Sequence, residues 1–97
     1  MINSQKTAVE KRAAFRQNLA RGGLMRFPDA FAPLVAMMVE QAGFDGVYIS
    51  GSGISAVKDL PDIGLTNQEE VVARAHLIAR VSDLPAIVDI DTGFGDA

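Results

Sequence analysis

The chain has 97 residues, enough for one small domain. Apolar residues make up 48% and charged residues 22%, a balance that excludes a disordered segment. A formal net charge of −3 leaves no broad basic field to attract nucleic acid or anionic lipid, and the lack of cysteine removes disulfides, thiolate metal sites and a thiol nucleophile from this stretch.

Lys6, Lys11, Arg12 and Arg16 are interrupted by Glu10, and no apolar core of a secretory signal follows them. No run of roughly 18 apolar residues is available to span a bilayer, so the expectation is a cytoplasmic protein with neither membrane nor nucleic acid as partner. Residues 7–21 are rich in Ala, Glu, Lys, Arg and Gln and stop at Gly22-Gly23, which predicts a helix. Val9, Ala13, Phe15, Arg16 and Leu19 give it only a narrow stripe, so it should lie on the outside of a larger body.

Residues 24–27 form a short apolar stretch closed by Pro28-Asp29 and predict a first strand. Pro33 suits a first helical turn, and Val35, Met38, Val39 and Ala42 follow at helical spacing up to Gly43. Met37 and Met38 read as core filler rather than ligands. Val47, Tyr48 and Ile49 predict a second strand, which feeds a long loop through Gly51 and Gly53 to Pro61-Asp62-Ile63-Gly64. Thr66 and Glu69 form a capping box ahead of a helix whose inner face carries Val71, Ala75 and Ile78. His76 lies on that helix with no HExxH partner and reads as a surface or boundary residue. Residues 86–91, β-branched and broken at Gly93 and Gly95, predict a third strand.

Strand and helix therefore alternate, which predicts parallel strands joined by crossovers. A doubly wound sheet and a (β/α)₈ barrel share this opening, and the chain is short for either. It reads as the start of something longer.

The chemistry concentrates in three places. In Asp89-Ile90-Asp91, alternation along a strand puts both carboxylates on one side, with α-carbons roughly 6.6 Å apart. Two acids so placed repel each other and lose hydration unless a cation compensates, and a hard divalent ion such as Mg²⁺ suits oxygen ligands. The structural alternative is that Asp91 caps the next helix while backbone amides satisfy Asp89. Ser50, Gly51 and Ser52 open the loop after the second strand with small residues, whose amides and hydroxyls can cradle a carboxylate; an ordinary turn would look the same. Asp62 could point to the same strand ends, although Pro-Asp-x-Gly is also ordinary turn chemistry.

Taken together, Tyr48-Ile49-Ser50-Gly51, Leu60-Pro61-Asp62-Ile63-Gly64 and Val88-Asp89-Ile90-Asp91-Thr92-Gly93-Phe94-Gly95, in that order, resemble the isocitrate lyase/phosphoenolpyruvate mutase superfamily. The resemblance spans nearly the whole chain and implies a fold, namely an N-terminal helix followed by the first three βα units of a (β/α)₈ TIM barrel, with residues 1–97 as the N-terminal third of one domain. It implies Mg²⁺-dependent carbon–carbon cleavage, closest to that of 2-methylisocitrate into pyruvate and succinate in the methylcitrate cycle of propionate degradation. Asp89 and Asp91 match the family's metal-site acids, with Asp62 near the metal. Ser50, Gly51 and Ser52 match its substrate-carboxylate loop, and Tyr48 matches a tyrosine beside the reacting centre. The implied partner is a small di- or tricarboxylate substrate, and full-length relatives are expected to be homo-oligomers, namely tetramers.

Ser52 stands where many members have Gly or Ala, and Asp59 where a glycine is common, which leaves isocitrate, oxaloacetate, dimethylmalate or a phosphonopyruvate open as substrates. The family's cysteine-bearing catalytic loop is expected beyond Ala97, so the 97-residue chain alone is expected to be inactive. A separate reading, from its unpaired sheet edges, is a non-catalytic α/β interaction module.

Overall fold

Thr7 fixes where the first helix begins. Its hydroxyl oxygen accepts from the Glu10 amide, and the Glu10 carboxylate accepts from the Thr7 amide, both at 3.1 Å. This reciprocal capping box is followed by α1, Ala8–Arg21, which ends at Gly22 with φ 75° and an N–H donated to the Leu19 carbonyl. In this computed structural model, which describes residues 4–50, 68–90 and 93, α1 buries no residue, in keeping with its narrow apolar stripe.

Side contacts hold α1 instead. The Phe15 and Phe27 rings meet at 5.3 Å with a 46° tilt. Lys11 Nζ donates to the Ala79 carbonyl at 2.8 Å, and the Asp83 carboxylate accepts the Gln5 and Lys6 amides at 2.7 and 2.8 Å.

Pro33 opens α2, Pro33–Gln41, and Gly43 with φ 85° follows its end. Then come β1, Val47–Ile49, α3, Gln68–Ala79, and β2, Ala86–Val88. The capping pair predicted to open α3 includes Thr66, which lies outside the described residues; Glu69 does sit in the helix's first turn. Val71 and Ile78 are buried and Ala75 packs beside them, as their spacing predicts.

β1 and β2 run parallel, pairing Val47 with Ala86, Tyr48 with Ile87 and Ile49 with Val88. On the other side of β1 the chain makes a single parallel bridge, Asp29 to Tyr48, through Tyr48 N–H to Pro28 O and Ala30 N–H to Tyr48 O, both 2.8 Å. The first pairing thus falls at Asp29 and not at residues 24–27, where the sequence predicts a strand. Pro28 can sit there because a segment at the sheet edge supplies its carbonyl to β1 and needs no N–H of its own. The third predicted strand is also shorter than expected, closing at Val88.

Ala30, Ala36, Val39, Val47, Ile49, Val71, Ile78 and Val81 form the core, so α2 and α3 cover the same face of the sheet. Met37 packs partly against this cluster, but Met38 is 58% exposed. Its place as core filler goes to Ala36, because the buried side of α2 is centred on Ala36 and Val39. The three parallel segments lie side by side in chain order. In a flavodoxin-like sheet the first strand would instead lie between the second and third.

Candidate active site

Alternation along β1 sorts its residues. Val47 and Ile49 are fully buried under the helices, so Tyr48 and Ser50 belong to the opposite face. Asp29 is level with Tyr48 through the bridge, and Asp89 is level with Ser50, one step beyond the Ile49–Val88 pair. The Asp89 amide donates to the Ile49 carbonyl at 2.9 Å, which carries the pairing one residue past the end of β2. Asp29, Tyr48, Ser50 and Asp89 therefore share one face at the carboxyl ends of the three segments. Tyr48, Ser50 and Asp89 are half-buried and Asp29 is exposed.

One contact joins two of them directly: Ser50 Oγ donates to Asp29 Oδ2 at 3.0 Å. A serine hydroxyl has one proton and two lone pairs. The contact commits the Ser50 proton to Asp29 and ties the end of β1 to the segment beside it.

Of the residues expected to act, the structure brings together Tyr48, Ser50 and Asp89. Gly51, Ser52, Asp62 and Asp91 lie outside the described residues. Asp29 is the residue that sequence reading misses. Next to Pro28 it looks like a turn residue, and only the parallel register shows it beside Tyr48. The available signal was that Asp29, like Asp89, follows a short extended run and precedes a change of direction.

Among the described residues no group of three or more His, Cys, Asp or Glu could hold a metal ion. The acids placed at this end, Asp29 and Asp89, offer oxygen donors only. That chemistry suits a hard cation such as magnesium and not a softer metal that prefers nitrogen or sulfur. His76 is exposed on α3, as its position in the sequence suggests. No helix of the described residues is long and apolar enough to cross a membrane.

Residues 15–97 match the family model described as phosphoenolpyruvate phosphomutase. Two Corynebacterium glutamicum proteins, Probable 2-methylisocitrate lyase 2 and Probable 2-methylisocitrate lyase 1, are 49% and 55% identical to this chain over 99% and 89% of its length. The chain spans 31% and 28% of those two relatives. A solved structure of phosphonopyruvate hydrolase in complex with oxalate and Mg²⁺ superimposes with a TM-score of 0.84 at 40% identity, covering 89% of this chain and 30% of the other. The match over most of its length, on the segments that carry the Tyr48, Ser50 and Asp89 face, places the chain in the phosphoenolpyruvate phosphomutase family, with the aligned part corresponding to about a third of its 2-methylisocitrate lyase relatives.

Proposed function

We propose that the chain supplies the first three βα units of a (β/α)₈-barrel lyase that cleaves 2-methylisocitrate into pyruvate and succinate. The observation that carries this reading is the shared face of Asp29, Tyr48, Ser50 and Asp89 at the carboxyl ends of parallel segments whose other face is closed by helices. In a barrel, the helix-covered face is the outside and the strands' carboxyl ends hold the active site. Similarity to 2-methylisocitrate lyases at up to 55% identity supports the choice of substrate.

Asp89, with Asp91 and Asp62, would hold Mg²⁺. When bound, the ion would supply positive charge to the substrate hydroxyl oxygen, which becomes the carbonyl of the 2-oxo acid, while the electron pair of the broken bond passes to the succinate fragment as enolate-like negative charge. The chain's own residues do the rest of the work at this end. Tyr48, on the open face between Asp29 and β2, stands beside the reacting carbons. Gly51 and Ser52 receive a substrate carboxylate, with Ser50 fixed at the start of their loop by Asp29. A 2-oxo acid phosphonate is the alternative substrate, favoured by the likeness to the phosphonopyruvate hydrolase structure.

The test joins this chain to the part of the Corynebacterium glutamicum Probable 2-methylisocitrate lyase 2 that lies beyond the match, and measures pyruvate release with Mg²⁺. The chimera is expected to turn over 2-methylisocitrate in preference to phosphonopyruvate, and the 97-residue chain alone to release no pyruvate. Turnover by the short chain, or a chimera that prefers phosphonopyruvate, contradicts the proposal.

A further inference from the structure

At the amino end of β2, a cavity of about 400 Å³ opens between α1 and α3. Lys6, Lys11, Arg12, His76 and Arg80 line it, and among the described residues no carboxylate does. In a chain with net charge −3, four of its nine Lys and Arg residues converge on this one concavity.

The acids around it, Asp83, Glu10 and Glu40, are already engaged by backbone amides, Glu40 by that of Asp83 at 2.8 Å. Asp83 accepts the Gln5 and Lys6 amides, and Glu10 accepts the Thr7 amide in the cap of α1. Those bonds hold both carboxyls below their ordinary range, so both stay ionised while facing the backbone. Lys11 is the deepest of the cations. It spends one donor on the Ala79 carbonyl, and burial pushes its ammonium below the usual lysine range. The charges of Asp83 and Glu40 offset only part of that burial, so a further negative group in the cavity would favour the ammonium form.

We propose that this cavity binds a compact multivalent oxyanion, of the phosphate or polycarboxylate class. Arg12 and Arg80 provide planar guanidinium forks that match either group with two parallel hydrogen bonds, and the Lys6 and Lys11 ammonium groups add compact charge. The volume lies within the range of small-molecule pockets, about 300–1,000 Å³. The site is separate from the Asp29–Asp89 face, and its existence does not depend on the reaction proposed there.

The test titrates inorganic phosphate and, separately, citrate into the isotopically labelled 97-residue chain at constant ionic strength, with chloride as the monovalent control, and follows the amide spectrum. Saturable shifts confined to residues 4–12 and 76–86 are expected for at least one of the two anions. The stronger binder identifies the class. The double variant R12Q/R80Q should weaken binding about tenfold or more, since charge-assisted bonds are lost. The control R21Q/R74Q removes the same charge elsewhere and should bind as the parent does. Shifts that grow without saturation, shifts spread evenly over the chain, or equal weakening in both double variants would each overturn the proposal, because each means general screening and not a site.

Discussion

The two faces of β1 are built from alternate residues of the same short segment, yet they have opposite fates. Val47 and Ile49 are completely buried against α2 and α3. Tyr48 and Ser50, between and beyond them, look toward a face where Ile87 is 40% exposed and where Asp29 and Asp89 gather. The helix face is finished by this chain's own residues, and its composition is dictated by packing. The open face is polar at its carboxyl end, where Asp29, Tyr48, Ser50 and Asp89 share it.

Substitutions should therefore separate the two faces, and the largest effect belongs to the buried one. Ile49→Ala removes a fully buried side chain from the centre of the core, and should cost about 2–5 kcal/mol in chemical denaturation. Less severe is Gly46→Ala. A Cβ built at Gly46 would lie 2.2 Å from the Phe27 ring, so the ring must move and its contact with Phe15 with it; the expected loss is about 1–3 kcal/mol. A Gly46→Ala variant as stable as the parent would mean that Phe27 does not anchor α1.

Thr7→Ala should cost about 1 kcal/mol by removing one half of the capping box, seen as a lower midpoint and fraying of the first turn. On the open face, Tyr48→Phe and Asp29→Ala should move stability by no more than about 0.5 kcal/mol. In the chimera, however, Asp29→Ala should raise KM more than it lowers kcat, because Ser50 loses the acceptor that fixes its hydroxyl. Asp29→Asn keeps an acceptor oxygen and should restore most of the loss.

Acid should loosen the N-terminal segment first. The amides of Lys6 and Gln5 favour ionised Asp83, so its carboxyl titrates below its ordinary value in the folded chain. The unfolded chain then takes up the proton more readily, and the contribution present above about pH 4 is lost as pH falls below it. Protection of the Gln5 and Lys6 amides, measured against their intrinsic exchange rates, should fall in that range, while that of Val47 and Ile49 does not.

The same division of faces explains what could be read without coordinates. The helices were legible because period and punctuation agree: Val71, Ala75 and Ile78 mark one side of α3, and glycines follow α1 and α2. β1 was legible from three consecutive strand-forming residues. The Thr7–Glu10 cap has the same spacing as the Thr66–Glu69 pair and went unread, although it is as local a signal. Met38 was misplaced because helical spacing fixes the width of a stripe and leaves its centre to the neighbouring element. Residues 24–27 have the local apolar character of a strand, but that character says nothing about where a partner's hydrogen bonds fall, and those to β1 fall at Pro28 and Ala30. Asp29 escaped for the same reason. Its importance is a matter of register with Tyr48, a relation between segments nineteen residues apart in sequence that no local pattern encodes.

The most direct measurement is a calorimetric titration of Mg²⁺ into the chimera and into its Asp89→Ala/Asp91→Ala variant, with thermal unfolding followed in parallel. The account predicts that the variant loses magnesium binding while its unfolding midpoint without metal stays close to the parent's, since the open face contributes little to the core. Unchanged magnesium affinity in a folded variant would contradict it.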